Sequence, residues 1–228
     1  YYIVPSSEAK ERFVTKGVPA DRIKIYGIPI KAKFSMQLDK RPIAEQLGLD
    51  LSIPTILIMG GGQGLGPIKG VVKSLMKIEM PLQMIVLTGV NKKLSKWLDD
   101  KAHKKNKYNK KFICYEYANN VDELMEVSSL IITKPGGMTT SECLAKGLPM
   151  AIVNPLPGQE MRNTDYLLKK NIAIRIDKNS DIGEEIELLL KSPERLTEMS
   201  KAAFENAHPH SALDIAKLIL SDAEVEEE

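Results

Sequence analysis

Short apolar segments that alternate with helical patterns constrain the fold of this chain more than any other sequence feature. Several of these segments, such as residues 55–59, are apolar without alternation. Strands buried on both faces have this composition, which is typical of a parallel sheet covered by helices. We therefore expect an α/β fold with a doubly wound parallel sheet. The predicted strands are 2–4, 23–26, 55–59, 83–88, 111–115, 129–133, 149–153 and 172–176.

Helix boundaries are indicated by serine, proline and glycine. Ser6 or Ser7 is a candidate N-cap, Pro42 stands in a first turn with Gly48 at the end, and Pro67 opens a helix. The chain from residue 184 onward is predicted to be helical, with breaks at 192–193 and 208–209. These boundary residues predict helices between the strands, where they can cover the sheet.

The chain of 228 residues divides into three predicted parts. Residues 1–40 form a strand, a helix, a strand and a polar linker, and we interpret them as the remnant of a preceding domain. Residues 41–222 contain enough strands for one complete sheet. Residues 223–228 form an acidic tail.

Composition excludes several classes of protein. Hydrophobic residues make up 43% and charged residues 27%, which disfavours intrinsic disorder. The apolar stretches are far shorter than the ~20 residues that span a bilayer, and no signal peptide is visible. Cys114 and Cys143 form no disulfide framework, so we expect a reducing cytoplasm.

A glycine-rich loop follows the strand at 55–59 directly. Residues 60–66 contain five glycines, and Pro67 then opens a helix. Glycine lets the backbone turn sharply and approach a ligand closely, and a helix N-terminus favours an anion. The loop has neither the Walker pattern nor an acidic residue at the Rossmann position. It predicts a phosphate or diphosphate site, although a tight turn without a ligand has the same pattern.

Two more loops follow strands in the same way. Residues 133–142 run from a strand through a Pro-Gly-Gly turn into a helix, and residues 154–163 form a rigid polar loop after another strand. Open α/β sheets bind ligands at the carboxyl ends of their strands, so we expect the three loops to converge on one rim. The chain lacks Asp-x-Asp, which predicts that backbone dipoles rather than a metal ion neutralise the diphosphate.

Glu142 has two possible roles. In one, Thr139 and Glu142 form a capping box at the start of a helix. In the other, the carboxylate binds both hydroxyls of a ribose, as carboxylates do in nucleotide sites. Spacing alone favours neither.

These residues resemble the C-terminal half of a GT-B glycosyltransferase. The group concerned contains the monogalactosyl- and monoglucosyl-diacylglycerol synthases, the latter processive, and the peptidoglycan N-acetylglucosamine transferase. The matching strings are YIVPS at 2–6, YGIPI at 26–30, GGGQGLGPI at 60–68, ITKPGGMTTSE at 132–142, KGLP at 146–149 and PLPGQEMRN at 155–163. The glycolipid synthases match better in the first and third loops. The resemblance implies a Rossmann-like C-terminal domain of a GT-B fold.

The resemblance also implies roles for individual residues. Glu142 would hold the ribose hydroxyls, Gln159 and Glu160 would contact the donor sugar, and Tyr117 and Ala118 would pack on and hydrogen-bond the uracil base. The sequence around Tyr117 is Tyr-Glu-Tyr-Ala-Asn-Asn, which differs from the Gly-Tyr-Val that is commoner in the relatives. The remaining donor-binding positions are Gly61, Gly62, Gln63, Gly64, Pro135, Gly136, Gly137, Met138, Thr139 and Asn163.

The activity implied is inverting transfer of a hexose from UDP-glucose or UDP-galactose to a diacylglycerol-type lipid, with no cofactor and no metal. The sequence contains no Glu-x₇-Glu, the pattern of many retaining relatives. The catalytic base would lie in an N-terminal domain, so we expect this chain alone to be inactive. The intact enzyme would be cytoplasmic and attached peripherally to the inner face of the cell membrane.

Other interpretations remain. The chain could be the corresponding part of a UDP-GlcNAc transferase that acts on a lipid-linked peptidoglycan precursor, or a nucleotide-sugar-binding module without catalysis. Thr88-Gly89-Val90 disfavours a dinucleotide-dependent oxidoreductase.

A lysine-rich segment at 101–111 could bind an anionic membrane surface or be a solvated loop. It lacks interleaved aromatic residues, which disfavours nucleic-acid binding. We assign no role to His103, His208 and His210.

Overall fold

A computed structural model describes residues 1–60, 67–102, 110–177 and 180–225. The first strands and helices are β1 (Tyr2–Val4), α1 (Ser7–Val14), β2 (Ile23–Ile25), α2 (Lys40–Leu47), β3 (Thr55–Met59), α3 (Ile68–Leu75), β4 (Gln83–Leu87) and α4 (Lys92–Ala102). They are followed by β5 (Lys111–Tyr115), α5 (Val121–Glu126), β6 (Leu130–Thr133), α6 (Gly137–Ala145), β7 (Met150–Val153), α7 (Gln159–Lys169), β8 (Ala173–Ile176), α8 (Ile182–Leu190), α9 (Pro193–Glu205) and α10 (Ser211–Val225). The predicted strands are confirmed to within a residue at each end.

Two parallel sheets are present in the described residues. β1 pairs with β2, and the main sheet has the strand order β5-β4-β3-β6-β7-β8. Its chain order reverses between β3 and β6, so crossover helices cover both faces. This topology confirms the predicted doubly wound parallel sheet.

The main sheet is buried on both faces, as the uniformly apolar strands predict. On β3, Ile56 and Ile58 pack in a core with α3 and α8, whereas Leu57 between them packs in the opposite core. Successive side chains of a strand point to opposite faces, so an apolar residue is needed at every position.

Helix ends form at the residues that the sequence indicates. The Ser6 hydroxyl accepts a hydrogen bond from the Ala9 amide at 3.3 Å and caps α1. Gly48 ends α2 in the left-handed conformation at φ 60°. The breaks predicted at 192–193 and 208–209 separate α8 from α9 and α9 from α10. α10 continues to Val225 and so includes the start of the predicted acidic tail, whose residues 226–228 are outside the described ranges.

The predicted linker lies against the main domain. Ile30 and Phe34 are buried in the core that contains Leu57. The Lys146 ammonium donates to the Met36 carbonyl at 2.5 Å, and the Ser35 hydroxyl donates to the Pro209 carbonyl at 2.6 Å. Residues 30–36 are thus packed on the sheet domain, while the domain division itself remains a prediction.

Candidate functional site

The loops singled out from the sequence follow three adjacent strands. Met59 at the end of β3 is in register with Thr133 at the end of β6, and Thr133 is in register with Ile152 of β7. Because all strands of the sheet are parallel, the loops after β3, β6 and β7 leave the same edge side by side. Gly61, Gly62, Gln63 and Gly64 of the first loop lie outside the described residues.

The second loop ends at an uncapped helix N-terminus. Gly136 is the N-cap residue of α6 and has no side chain to accept a hydrogen bond from the first turn. Thr140 is the residue whose amide bonds back to the Gly136 carbonyl, at 2.8 Å. The amides of Gly137, Met138 and Thr139 precede that bond and are oriented as donors at the positive end of the helix dipole. This arrangement suits a phosphate oxygen.

The capping-box interpretation of Glu142 is wrong. The helix begins at Gly137, so Thr139 lies inside its first turn and Glu142 is the sixth residue. Glu142 is half-buried, and this burial raises the pKa of its carboxyl above the usual value. Lys31 and Lys33 oppose this shift in the pKa, whereas Asp122 adds to it. The binding of ribose hydroxyls by Glu142 stays a prediction.

The third loop reaches the second through two amide side chains. A Cβ atom added at Gly137 would lie 3.5 Å from Gln159 Nε2, so Gln159 lies against the start of α6. Asn163 Nδ2 donates to the Pro135 carbonyl at 2.8 Å. The structure therefore brings Pro135, Gly137, Gln159 and Asn163 together, as the convergence of the loops predicts.

Glu160 is directed back into its own loop. Its Oε2 atom accepts a hydrogen bond from the Leu156 amide at 2.7 Å. Gly158, which precedes α7, has φ 99°, a conformation that glycine adopts readily. In this geometry Glu160 shapes the loop, while Gln159 is exposed beside Gly137. The contact of Glu160 with a donor sugar remains a prediction.

The segment after β5 lies on the same face of the sheet as α6, because both contribute to the core that contains Leu57. Tyr117 is 64% exposed, and Ala118 packs against the core that contains Leu57. The segment continues into α5, where Asp122 is buried and close enough to Glu142 to influence its pKa. β5 is at the sheet edge, so only the path of this segment towards α5 brings it near the other loops.

A cavity of about 660 Å³ opens beside these loops, between α1 and the helices α6 and α7. Its wall includes Gly137, Gln159 and Asn163, as well as His208, to which the sequence analysis gives no role. His208 is half-buried, and this burial lowers the pKa of its imidazole, with Asp214 acting in the opposite direction. Sequence spacing gives no signal for this position, because His208 precedes α10 and reaches the cavity only through the fold.

Two lysines of the lysine-rich segment at 101–111 form hydrogen bonds with backbone carbonyls of other segments. Lys110 is 5% exposed, and its ammonium donates to the Met76 carbonyl at 3.0 Å and to the Ile78 carbonyl. Lys111 donates to the carbonyls of Leu47 and Gly48 at the end of α2. These two side chains satisfy carbonyls near helix ends and are not available to a membrane surface. Residues 103–109 lie outside the described ranges.

Cys143 is a packed residue of the core. It is fully buried, and burial raises the pKa of its thiol far above the usual value.

Among the residues that the structure covers, no cluster of three or more His, Cys, Asp or Glu side chains could hold a metal ion. The described helices also include none with the length and apolar character to cross a membrane.

Comparison with known proteins finds a matching family model and similar sequences. The family model described as "Glycosyltransferase family 28 C-terminal domain" matches residues 55–218. A processive diacylglycerol beta-glucosyltransferase of Staphylococcus epidermidis is 35% identical over 222 residues, covering 96% of this chain and 55% of that protein. A protein of the same name from Bacillus cereus is 34% identical, covering 99% of this chain and 57% of its own length. The chain thus spans a little over half the length of these relatives.

Two solved structures share the fold. The crystal structure of MurG from Acinetobacter baumannii has a TM-score of 0.67 and 19% identity, covering 96% of this chain and 64% of that one. A putative UDP-N-acetylglucosamine 2-epimerase from Listeria monocytogenes has a TM-score of 0.73 and 19% identity, covering 97% and 59%. With the family match, these likenesses confirm the predicted C-terminal GT-B fold and the resemblance on which it was based.

Proposed function

The chain belongs to the glycosyltransferase family 28 C-terminal domain family, and we propose that it is the donor-binding half of an inverting hexosyltransferase. The donor is UDP-glucose or UDP-galactose, and the acceptor is a diacylglycerol-type lipid. The names of relatives at 34–35% identity support a lipid acceptor of this kind. The intact protein would act in the cytoplasm, at the inner face of the cell membrane.

The juxtaposition of Gly137 and Gln159 is the observation that carries this proposal. It places a side-chain amide next to backbone N–H groups at the start of α6 that donate no hydrogen bond within the described ranges. The backbone donors suit the diphosphate, and the amide suits a hydroxyl of the attached sugar. Glu142, six residues into the same helix, is half-buried and supplies an acceptor for ribose hydroxyls. A UDP-sugar carries its sugar, diphosphate and ribose in that order, and Gln159, the start of α6 and Glu142 offer groups of matching chemistry for the three.

The proposed chemistry is in-line displacement at the anomeric carbon. An acceptor hydroxyl attacks this carbon, and the bond to the diphosphate oxygen breaks with inversion. A base in an N-terminal domain takes the proton, while the N-terminus of α6 stabilises the negative charge that develops on the departing UDP. This chain supplies only the stabilisation of the departing UDP, and it does so with backbone dipoles in place of a metal ion.

Calorimetric titration tests the donor site. UDP, UDP-glucose and UDP-galactose should bind the chain in the presence of EDTA. The substitution Glu142→Ala should weaken UDP binding by roughly tenfold or more, since a hydrogen bond to a charged group contributes about 1.5–3 kcal/mol. Glu198→Ala, which removes an exposed glutamate of α9, is the matched control and should bind normally.

Two results would contradict the proposal. One is the absence of heat with millimolar UDP from a chain whose near-UV circular dichroism shows a folded state. The other is equal UDP binding by Glu142→Ala and Glu198→Ala. Preferential binding of UDP-GlcNAc would instead favour a transferase of the peptidoglycan type. Incubation with UDP-glucose and diacylglycerol vesicles should give no glycolipid, because the catalytic base is expected elsewhere.

A further inference from the structure

Lys33 joins the polar stretch before α2 to the segment that follows β5. Its ammonium donates a hydrogen bond to the Asn119 carbonyl and lies 2.5 Å from Asp122 Oδ1. Asn119 comes directly after Tyr117 and Ala118, and Asp122 lies in the first turn of α5. A single side chain from residues 31–40 thus contacts both ends of the short turn between the proposed base-binding residues and α5.

Asp122 depends on Lys33 for compensation of its charge. The Asp122 side chain is only 10% exposed, and the Lys33 ammonium lies 2.5 Å from its Oδ1 atom. Lys33 is the cation with which the structure pairs it. A buried carboxylate without a cation is strongly disfavoured, so removal of Lys33 would favour displacement of the Asp122 side chain from its position.

Lys33 also influences Glu142. Both Lys31 and Lys33 favour the ionised form of the Glu142 carboxyl, against the effects of burial and of Asp122. The same lysine therefore holds the turn at Asn119 and favours the charged state of the proposed ribose acceptor. No signal in the sequence marks Lys33, because it stands in a polar stretch that reads as a linker.

We propose that Lys33 is a positioning residue for the nucleoside part of the donor site, through which the placement of residues 31–36 and the binding of UDP are coupled. This inference rests on the proposed function. Two contacts hold residues 31–36 on the main domain. Phe34 is buried in the core, and the Lys146 ammonium donates a hydrogen bond to the Met36 carbonyl. A shift of this stretch would move the ammonium of Lys33, and with it the turn at Asn119.

The test is UDP and uridine binding by a set of variants of the full 228-residue chain. Lys33→Met should weaken both ligands by roughly tenfold, a typical size for coupling between sites. Inorganic pyrophosphate, which lacks the nucleoside, should bind all variants equally. Lys33→Arg should retain most of the affinity, and Lys40→Met, which alters an exposed lysine at the start of α2, should change nothing.

A double variant separates positioning from mere stability. Lys33→Met/Asp122→Asn removes the uncompensated carboxylate, so its thermal unfolding should return close to that of the unaltered chain. Its UDP affinity should stay reduced, because the hydrogen bond to Asn119 is still missing. Full recovery of UDP affinity in the double variant would overturn the inference, as would normal UDP binding by Lys33→Met. Failure of the unaltered chain to bind UDP would overturn the proposed function and this inference together.

Discussion

Asn163 Nδ2 donates a hydrogen bond to the carbonyl oxygen of Pro135 at 2.8 Å, and so ties the second turn of α7 to the loop that opens α6. The two residues are 28 positions apart in sequence and belong to loops after adjacent strands. This bond fixes the distance between Gln159 and the backbone donors of Gly137. The Asn163 amide therefore helps to hold the loops that carry Gln159 and Gly137, the proposed sugar and phosphate partners, in their relative positions.

Substitution of Asn163 by alanine should separate sugar binding from UDP binding. We expect the free energy of unfolding to fall by about 1 kcal/mol, the usual contribution of one hydrogen bond. Affinity for UDP-glucose should fall more than affinity for UDP, because Gln159 loses its fixed place. Urea denaturation and calorimetry measure the two effects. Thr197→Val, which removes a hydroxyl bond to the Pro193 carbonyl on α9, controls for stability alone. Equal losses for UDP and UDP-glucose would contradict this role.

Glu142→Gln should stabilise the fold at neutral pH while it weakens UDP binding. Burial raises the folded-state pKa of Glu142, so the charged carboxylate costs stability once the pH rises through that pKa. Below the unfolded-state pKa both proteins carry a neutral group, and the difference should vanish. We therefore expect the variant to have a higher Tm than the unaltered chain near pH 7 and the same Tm at low pH. Thermal unfolding at pH 4 and pH 7 provides the measurement. A Tm that falls at pH 7 would show that the carboxylate is stabilising.

Gly158→Ala should destabilise the chain although no atom stands in the way of the new methyl group. Gly158 has φ 99°, and a Cβ atom added there has no neighbour within 4 Å among the residues that the structure describes. The cost is conformational and should be about 1–3 kcal/mol, as for other residues held in sparsely populated backbone regions. Gly70→Ala is the control, since Gly70 lies inside α3 with equally open surroundings, and it should stabilise by about 0.5–1 kcal/mol. Comparable stabilities for the two variants would argue against strain at Gly158.

Lys146→Met should be among the more damaging single substitutions. The Lys146 side chain is 2% exposed, and its ammonium lies 2.6 Å from Glu126 Oε2. Removal of one partner leaves a buried charge without compensation, which costs about 3–5 kcal/mol. The double variant Lys146→Met/Glu126→Gln should recover most of this loss in urea denaturation. If the single and double variants unfold at the same urea concentration, the ion pair does not carry the stability.

The sequence by itself determined the architecture of this protein. Uniformly apolar strands such as β3 must be covered on both faces, and glycine or proline at the ends of the segments sets where each helix begins or stops. For that reason the strand positions, the doubly wound sheet and the convergence of the β6 and β7 loops followed from local pattern. The predicted donor-site residues come from the family strings, because they lie within continuous motifs, and their binding roles stay predictions.

Only the tertiary structure decided the contacts between distant segments. The start of α6 at Gly137 removes the capping-box role of Glu142, since a helix boundary within a Pro-Gly-Gly-Met-Thr string is not fixed by spacing. Lys33 and Asp122 are 89 positions apart in the printed sequence, and His208 reaches the cavity from the chain before α10. Long-range pairs of this kind have no periodicity of their own, because they arise where packed layers bring charges together and burial then changes their energies.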